Sequence, residues 1–221
     1  MDDLIRVDFH CHTIFSHDSL TTPEKLLATC QRKGIDRVAI TDHNTIAGAL
    51  RAKKLDPDRI IVGEEILTTQ GELLAFFVEE EIPPGLSPKA TISQLKDQGA
   101  FISVSHPFDI FRKGHWRPEV LQEILSNIDA IETFNARCLW PGFNWQAQKF
   151  ARQHNLVGTH GSDAHAAFEL GRGSLLLPPF HDADSLREAL KHAVSPQLTL
   201  SGIGVRFSSR YAVWRKRLQR T

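Results

Sequence analysis

Short apolar runs alternate along this chain with amphipathic stretches, and the alternation predicts its secondary structure. The apolar runs predict β-strands near residues 5–9, 37–41, 60–62, 72–78, 101–104, 129–134, 156–159 and 174–177. The stretches between them have helical spacing and predict helices over residues 23–33, 46–54, 88–98, 117–127, 144–153 and 183–193. Strands that alternate with helices favour parallel βαβ units, so we expect an α/β fold in a single domain over residues 1–221.

One pair of strands departs from this alternation. Residues 60–68 form one apolar run, Gln70 and Gly71 have the composition of a turn, and residues 72–78 form a second run, which predicts a hairpin. In parallel α/β folds, ligand sites gather at the carboxyl ends of the strands. The polar residues that follow the apolar runs are therefore the candidates for a functional site.

The last segment of the chain, residues 206–221, predicts a basic helix. Its apolar residues recur at helical spacing, and this favours an aromatic face packed on the domain with the charges in solvent. The alternative is a basic face that touches a phosphate-rich ligand or an anionic surface. The apolar positions are Phe207, Tyr211, Trp214 and Leu218, and the basic ones are Arg206, Arg210, Arg215, Lys216, Arg217 and Arg220.

Composition narrows the class of protein. Lys and Arg number 26, as do Asp and Glu, so the formal net charge is zero and nothing global favours nucleic acid or an anionic membrane as a partner. No apolar stretch approaches the roughly 20 residues of a membrane span, and the acidic start lacks the pattern of a signal peptide. The three cysteines have no paired spacing, which is typical of reduced thiols. We expect a cytoplasmic protein.

Imidazoles and carboxylates follow the apolar runs repeatedly. His10 and His12 are two residues apart on one strand, so both point to the same face, while Cys11 points to the other. The donors are all nitrogen or oxygen, a mixture that suits Mn, Zn or Fe, and their number implies two or three divalent ions. The candidate ligands are His10, His12, Asp18, His43, Glu65, Glu72, His106, Asp163 and His165.

Five motifs in this order carry a family resemblance. They are Asp8-Phe9-His10-Cys11-His12-Thr13 with Ser16-His17-Asp18-Ser19, then Ile40-Thr41-Asp42-His43-Asn44-Thr45, Gly63-Glu64-Glu65-Ile66, Ser105-His106-Pro107 and Gly161-Ser162-Asp163-Ala164-His165. Together they resemble the motifs of the PHP (polymerase and histidinol phosphatase) family. The resemblance spans residues 5 to about 178 and implies a distorted (β/α)₇ TIM-like barrel of the PHP type with a trinuclear metal centre.

The resemblance also implies how the ligands divide among the ions. At the second ion many relatives have a histidine on the hairpin strand, where this chain has Glu72; a carboxylate there favours harder ions such as Mn²⁺ or Fe²⁺. An exposed turn residue is the alternative for Glu72. The implied sets are His10, His12, Glu65 and Asp163 for the first ion, Glu65 and His106 with Glu72 for the second, and Asp18, His43 and His165 for the third.

Three residues are candidates for catalysis. The segment Ile131 to Arg137 resembles a strand-end segment of the family. There Arg137 is placed to clamp a phosphate, with a surface ion pair as the alternative, and Asn135 to hydrogen-bond the same phosphate or a metal-bound water. The leaving group takes its proton from water or from a metal-site histidine, for which His43 is the candidate.

These features predict an enzyme that hydrolyses a phosphate ester with a hydroxide bridging two metal ions. A small phosphomonoester or nucleotide is the expected substrate. The alternatives are a 5′-end-acting exonuclease on short RNA or DNA, modestly favoured by the basic tail, and a non-catalytic metal-stabilised domain that binds a phosphorylated ligand. Nucleic acid is thus an open but less favoured partner.

Overall fold

The computed structural model describes residues 4–219, so Arg220 of the basic segment lies outside the described residues. The strands are β1 Ile5–Cys11, β2 Arg37–Ile40, β3 Ile60–Leu67, β4 Glu72–Phe76, β5 Phe101–Val104, β6 Ala130–Asn135, β7 Val157–Gly161 and β8 Leu175–Leu177. The helices are α1 Pro23–Lys33, α2 Ala47–Leu55, α3 Pro88–Asp97, α4 Pro118–Ile124, α5 Pro141–Gln153, α6 Ala183–Leu190 and α7 Val205–Leu218.

The strands form one sheet that curls into a nearly closed barrel. Their order is β7-β6-β5-β4-β3-β2-β1-β8, with β8 antiparallel to the first residues of β1. Beyond β7 the chain reaches the far end of β1, where Asp163 N donates to His10 O at 2.7 Å and His12 N donates to Ala164 O at 2.9 Å. These bonds close the ring of β1 to β7, and the predicted distorted α/β barrel is confirmed.

The predicted hairpin is present and explains the distortion. Strand β4 runs antiparallel to both β3 and β5, whereas the other neighbouring strands from β1 to β7 are parallel. Leu67 at the end of β3 pairs with Glu72 at the start of β4. Because the hairpin reverses the chain, the first residue of β4 lies at the same edge as the carboxyl ends of the parallel strands.

Local capping chemistry fixes where the helices begin. Thr22 accepts a hydrogen bond from Lys25 N at 3.3 Å and precedes Pro23, and α1 ends at Gly34, whose φ is 62°. Three predicted boundaries shift: α5 begins at Pro141 rather than residue 144, α4 ends at Ile124 rather than 127, and α6 ends at Leu190 rather than 193. A proline at the first helical turn pre-sets φ, which accounts for the start of α5.

A cluster of buried apolar side chains lies along the strands before the polar residues. It joins Phe9, Ile61, Phe76 and Phe101 from four strands with residues of α6. The Phe9 and Phe76 rings lie 5.3 Å apart, and those of Phe76 and Phe101 lie 5.8 Å apart. On each parallel strand the apolar residue precedes the candidate ligand, and on the reversed β4 it follows. The cluster therefore supports the site from the opposite end of the barrel.

The basic C-terminal helix forms, but the expected packing of its aromatic face is wrong. Phe207, Tyr211 and Trp214 are 68%, 52% and 57% exposed, and Leu218 is exposed as well. Val205 and Ala212 of the same helix are buried, and Lys216 Nζ donates hydrogen bonds to the backbone oxygens of Ile14 and Ser16. The helix is therefore held by its other face, and the aromatic side chains lie largely in solvent.

No helix within residues 4–219 combines the length and apolar character needed to cross a membrane.

Candidate metal centre

All nine predicted ligands lie in one cluster at the carboxyl edge of the barrel. Two strands, β1 and β3, and the reversed start of β4 contribute directly, and the loops after β1, β2, β5 and β7 supply the rest. Adjacent members of the cluster lie about 3 to 4 Å apart along a continuous series of contacts. Parallel strands deliver side chains from distant parts of the sequence to one edge, as the sequence predicts.

The first four ligands have the spacing of a tetrahedral coordination shell. Ligand atoms bound at about 2.1 Å in a tetrahedron lie about 3.4 Å from one another. His10 Nε2 and His12 Nε2 are each 3.4 Å from Glu65 Oε2, and they are 3.8 Å and 3.4 Å from Asp163 Oδ1. The two Nε2 atoms are 3.1 Å apart. Most of these separations exceed a good hydrogen bond and match a shell around one ion.

Glu65 connects this group to the reversed strand. His106 Nε2 lies 3.1 Å from Glu65 Oε1 and 3.5 Å from Glu72 Oε2. Ligand atoms of His43, Glu65 and Glu72 also lie within 4.8 Å of one another. Glu72 is thus directed into the cluster and is not an exposed turn residue. Burial, together with the negative charge of Glu65, raises the pKa of Glu72.

A third group lies at the more open side of the cluster. His165 Nε2 is 2.9 Å from Asp18 Oδ2, and His43 Nε2 is 3.6 Å from Asp18 Oδ1. His43 Nδ1 is also 3.0 Å from Glu65 Oε2. Burial alone would raise the pKa of Asp18, but the two imidazoles hold that pKa well below its usual range. Asp18 is therefore ionised at neutral pH, as a metal ligand must be.

The electrostatics of the cluster match a site that holds cations. Burial alone would lower the pKa of His10, yet the carboxylates of Glu65, Glu132 and Asp163 raise it well above its usual value. Buried Asp18 Oδ1 and Asp163 Oδ1 have no hydrogen-bond partner among residues 4–219. Buried carboxylate oxygens without partners are costly, and a divalent ion would satisfy both atoms. The residues present fit such ions.

Outer hydrogen bonds direct the free nitrogens of three histidines inward. His10 Nδ1 lies 2.9 Å from Glu132 Oε1, and His165 Nδ1 lies 2.8 Å from its acceptor, Asp163 O. His12 Nδ1 lies 3.0 Å from Ser16 Oγ, whose own proton goes to Asp42 at 2.6 Å. Because each of these oxygens accepts a hydrogen bond, the ring proton of each histidine lies on Nδ1. The Nε2 lone pairs then face the cluster, as metal ligation requires.

Glu132 has a supporting role that sequence reasoning missed. Besides His10, this buried carboxylate accepts hydrogen bonds from His106 N at 2.8 Å and from Asn135 Nδ2 at 3.0 Å. It therefore connects the side chain of one candidate ligand, His10, to the backbone of another, His106. The sequence indicated this role only by placing Glu132 inside an apolar run. A buried acidic residue in a strand requires hydrogen-bond partners such as these.

Asn135 and Arg137, the two residues predicted to contact a phosphate, form hydrogen bonds with protein groups. Asn135 Nδ2 donates to Glu132 and, at 3.1 Å, to Asp163 Oδ2. Arg137 is buried, lies 3.1 Å from Glu169 and donates to Val205 O at 2.8 Å. Asn135 thus positions a candidate ligand, and Arg137 connects α7 to the barrel. Their predicted contacts with substrate stay predictions.

Arg112 is a second residue that sequence reasoning missed. Its guanidinium donates to Asp163 Oδ2 at 2.5 Å and lies 3.5 Å from Asp109. The residue belongs to the polar loop after β5, and it lines the mouth of the cluster beside His165. A basic residue in a loop that follows a ligand-bearing strand was the available signal.

The fold and the clustered donors define a barrel protein with a candidate multi-ion centre, and the comparisons identify its family. Residues 8–83 match the PHP domain family, and residues 141–195 match the PHP-associated family. Two uncharacterised proteins of Methanocaldococcus jannaschii are similar to the chain. One is 37% identical, over 60% of this chain and 82% of its own length. The other is 35% identical, over 76% of this chain and 68% of its own length. The chain belongs to the PHP family.

A solved structure extends the likeness to most of the chain. A two-domain protein of Bacteroides vulgatus, containing a predicted PHP-like metal-dependent phosphoesterase, superposes with a TM-score of 0.70 and 22% identity. The superposition covers 87% of this chain but only 65% of that longer one. At this identity the likeness shows the fold, which is that of PHP-like metal-dependent phosphoesterases.

Proposed function

We propose that this protein hydrolyses a phosphate ester with two or three bound divalent ions, and that its substrate is a small phosphomonoester or a nucleotide. The observation that carries the proposal is the near-tetrahedral spacing of His10, His12, Glu65 and Asp163. Buried nitrogen and oxygen donors at this spacing bind a cation, and a shared carboxylate beside a second donor set brings a further ion close to the first.

In this proposal Glu65 would help to hold two ions. Its Oε2 completes the first set, and its Oε1 faces His106 and, beyond it, Glu72. The third set is Asp18, His43 and His165. Glu72 adds a carboxylate oxygen where the family often has an imidazole, which supports Mn²⁺ or Fe²⁺ over Zn²⁺ at the second position.

When bound, the ions would lower the pKa of a water, so that a nucleophile exists near neutral pH, and would neutralise charge on the phosphoryl oxygens. The chain's own residues supply the rest. Arg112 holds a positive charge at the mouth of the cluster, where it can balance charge that develops on the phosphoryl group. His43 is the more exposed partner in its contact with Glu65, so it is our candidate for protonating the leaving group.

The test pairs metal content with phosphate release. His12→Ala removes a donor from the first set, and His181→Ala is the matched control because His181 is an exposed histidine distant from the cluster. We expect the H12A protein to lose at least one ion per chain and to release phosphate no faster than the uncatalysed background. The H181A protein should keep both properties. A metal-stripped H12A protein with near-wild-type turnover would contradict the proposal.

A 5′-end-acting nuclease is the second candidate, and one observation favours it. The basic helix α7 lies beside the third set of ligands, and no acidic residue follows Glu188 in the sequence. Phosphate contacts from such a helix would supply affinity for a nucleic-acid backbone. Shortening of a 5′-phosphorylated oligonucleotide, observed on a denaturing gel, separates this activity from monoester hydrolysis. Full metal occupancy without release from any ester would indicate a phospho-ligand-binding domain instead.

A further inference from the structure

A cavity of about 230 Å³ lies between the metal cluster and helix α7. Asp18 and His165 of the third ligand set line one wall, and Arg206, Ser209 and Arg210 of α7 line another. We propose that Arg206 and Arg210 form a second phosphate-binding subsite, which holds a phosphate of the substrate other than the one that is cleaved. This inference rests on the proposed function and names the substrate class: esters that carry two phosphate groups.

The charges around the cavity distinguish these two arginines from their neighbours. Arg112 and Arg137 also line the cavity, but each is paired, with Asp163 and Glu169 respectively. Within the described part of the chain, Arg206 and Arg210 form no ion pair with a carboxylate. Two guanidinium groups that form no ion pair among the described residues therefore line a cavity beside the site of the proposed chemistry.

The geometry of the helix places the two guanidinium groups together. Residues four apart on a helix lie on the same face, one turn from each other. Arg206 is partly buried and Arg210 is exposed, and both line the cavity. The planar fork of arginine matches two phosphate oxygens at once, which makes a pair of arginines one turn apart suited to a phosphate.

The anchoring of α7 supports a functional position for this pair. Arg137 donates to Val205 O and, at 2.9 Å, to Ser209 Oγ, and these bonds seat the first turns of the helix at the mouth of the cluster. A neighbouring cavity of about 290 Å³ shares Asp18 and Arg210 with the first and extends to Trp214. The remainder of a two-phosphate substrate therefore has space along the helix, away from the metal ligands.

The test compares substrates with one and two phosphates in the metal-loaded enzyme. The variants are R206A/R210A and, as the matched control, R215A, since Arg215 is an exposed arginine of the same helix that lines neither cavity. Fructose 6-phosphate is compared with fructose 1,6-bisphosphate, and a nucleoside 5′-monophosphate with a 5′-phosphorylated dinucleotide. These two pairs distinguish a sugar bisphosphate from a nucleotide chain as the source of the second phosphate.

We expect R206A/R210A to lower kcat/KM about 10- to 100-fold for at least one two-phosphate substrate, mostly through KM, as loss of charge-assisted hydrogen bonds predicts. The one-phosphate partner should change less than about twofold on the same reasoning, because its only phosphate lies at the ions. R215A should leave all four substrates unchanged. The subsite would be overturned if R206A/R210A lowered kcat/KM equally for the one-phosphate and two-phosphate members of each pair, or lowered it for neither member.

A binding measurement separates this proposal from the proposed function. If the metal-loaded wild-type protein hydrolyses no ester, the proposed function fails, but the subsite can still be tested. Calorimetric titration with inorganic phosphate should give two bound phosphate ions per wild-type chain and one per R206A/R210A chain. The same number in both proteins would refute the subsite, and the circular dichroism spectra of the two should coincide.

Discussion

The substitution Glu132→Gln tests whether the outer hydrogen bonds control metal binding. Oε1 of Glu132 lies 2.9 Å from His10 Nδ1, while Oε2 accepts from His106 N and Asn135 Nδ2. A glutamine has the same shape but only one oxygen. If that oxygen keeps the two bonds at the Oε2 position, the amide NH₂ faces the Nδ1 proton of His10. His10 can relieve this conflict only by moving its proton to Nε2, the nitrogen that faces the cluster.

The expected loss of metal affinity follows from two effects. A hydrogen bond to a charged group contributes about 1.5–3 kcal/mol, and loss of that amount weakens binding about 10- to 150-fold. The negative charge of Glu132 also raises the pKa of His10, so its removal makes His10 a weaker ligand. Outer partners of metal-bound histidines in general change affinity about 10- to 100-fold. We therefore expect Glu132→Gln to weaken metal binding 10- to 100-fold.

The assay is a competition for Zn²⁺ and Mn²⁺ between the protein and a chromophoric chelator. Glu64→Gln is the matched control, because Glu64 is an equally buried carboxylate that accepts a hydrogen bond from Ile82 N at 3.1 Å and not from a candidate ligand. The glutamine oxygen can keep that bond, so its metal affinity should stay within about twofold of the wild type, as substitutions that preserve a bond usually allow. Equal affinities for the two variants would refute the argument that Glu132 orients His10.

Two further predictions address packing and pH. An alanine Cβ at Gly161 would lie 2.2 Å from His10 Cβ and 2.6 Å from Glu132 Oε1. Gly161→Ala should therefore displace His10 and lower both the metal content and the melting temperature. Gly204→Ala is the control and should change neither, because a Cβ at Gly204 would have no heavy atom within 4 Å. Burial lowers the pKa of His160 to about 4 from 6.5, so the unfolded chain takes up a proton first as the pH falls. Stability should then drop by about 3 kcal/mol between pH 6.5 and pH 4, and urea unfolding of His160→Asn should show a smaller drop over that range. An unchanged melting temperature in Gly161→Ala, or an equal drop in His160→Asn, would contradict these expectations.

The candidate ligands could be predicted because their positions follow from strand geometry. A donor just after an apolar run lies at the carboxyl edge of a parallel sheet wherever its strand falls in the sequence. Glu72 is the informative exception, since it begins a strand rather than ending one. The hairpin reverses β4, and this reversal brings Glu72 to the same edge. The turn signal at Gln70 and Gly71 predicted the hairpin, and the family resemblance implied the place of Glu72 at the second ion.

The residues that sequence reasoning missed depend on contacts between distant segments. Arg112 meets Asp163, 51 positions further along, through the path of a loop that no local pattern specifies. Arg137 was predicted to face a phosphate, but Glu169 lies in a short turn after β7 and pairs with it. A charged residue past a strand end is as compatible with an ion pair as with a ligand contact. Only the three-dimensional position of its partner decides between them.

Helix α7 shows why periodicity alone assigned the wrong face. Val205, Ser209, Ala212 and Lys216 recur at helical spacing as regularly as the aromatic residues do. At about 100° per residue, the centres of the two stripes lie about 200° apart, on nearly opposite sides of the helix. The surface that receives the helix offers the backbone oxygens of Ile14 and Ser16 and the guanidinium of Arg137, which select hydroxyl and ammonium groups rather than rings.

The orientation of α7 follows from this choice of face, and so does the position of the two unpaired arginines. Arg206 and Arg210 lie about 100° around the helix axis from the face that contacts the barrel, which contains Val205, Ser209, Ala212 and Lys216. The two arginines are therefore at the edge of the helix that borders the cavity. The small side chain of buried Ala212 allows the helix backbone to approach the rim closely. The hydrogen bonds that attach α7 to the barrel leave the aromatic side chains in solvent. The same orientation of the helix places Arg206 and Arg210 beside Asp18 and His165.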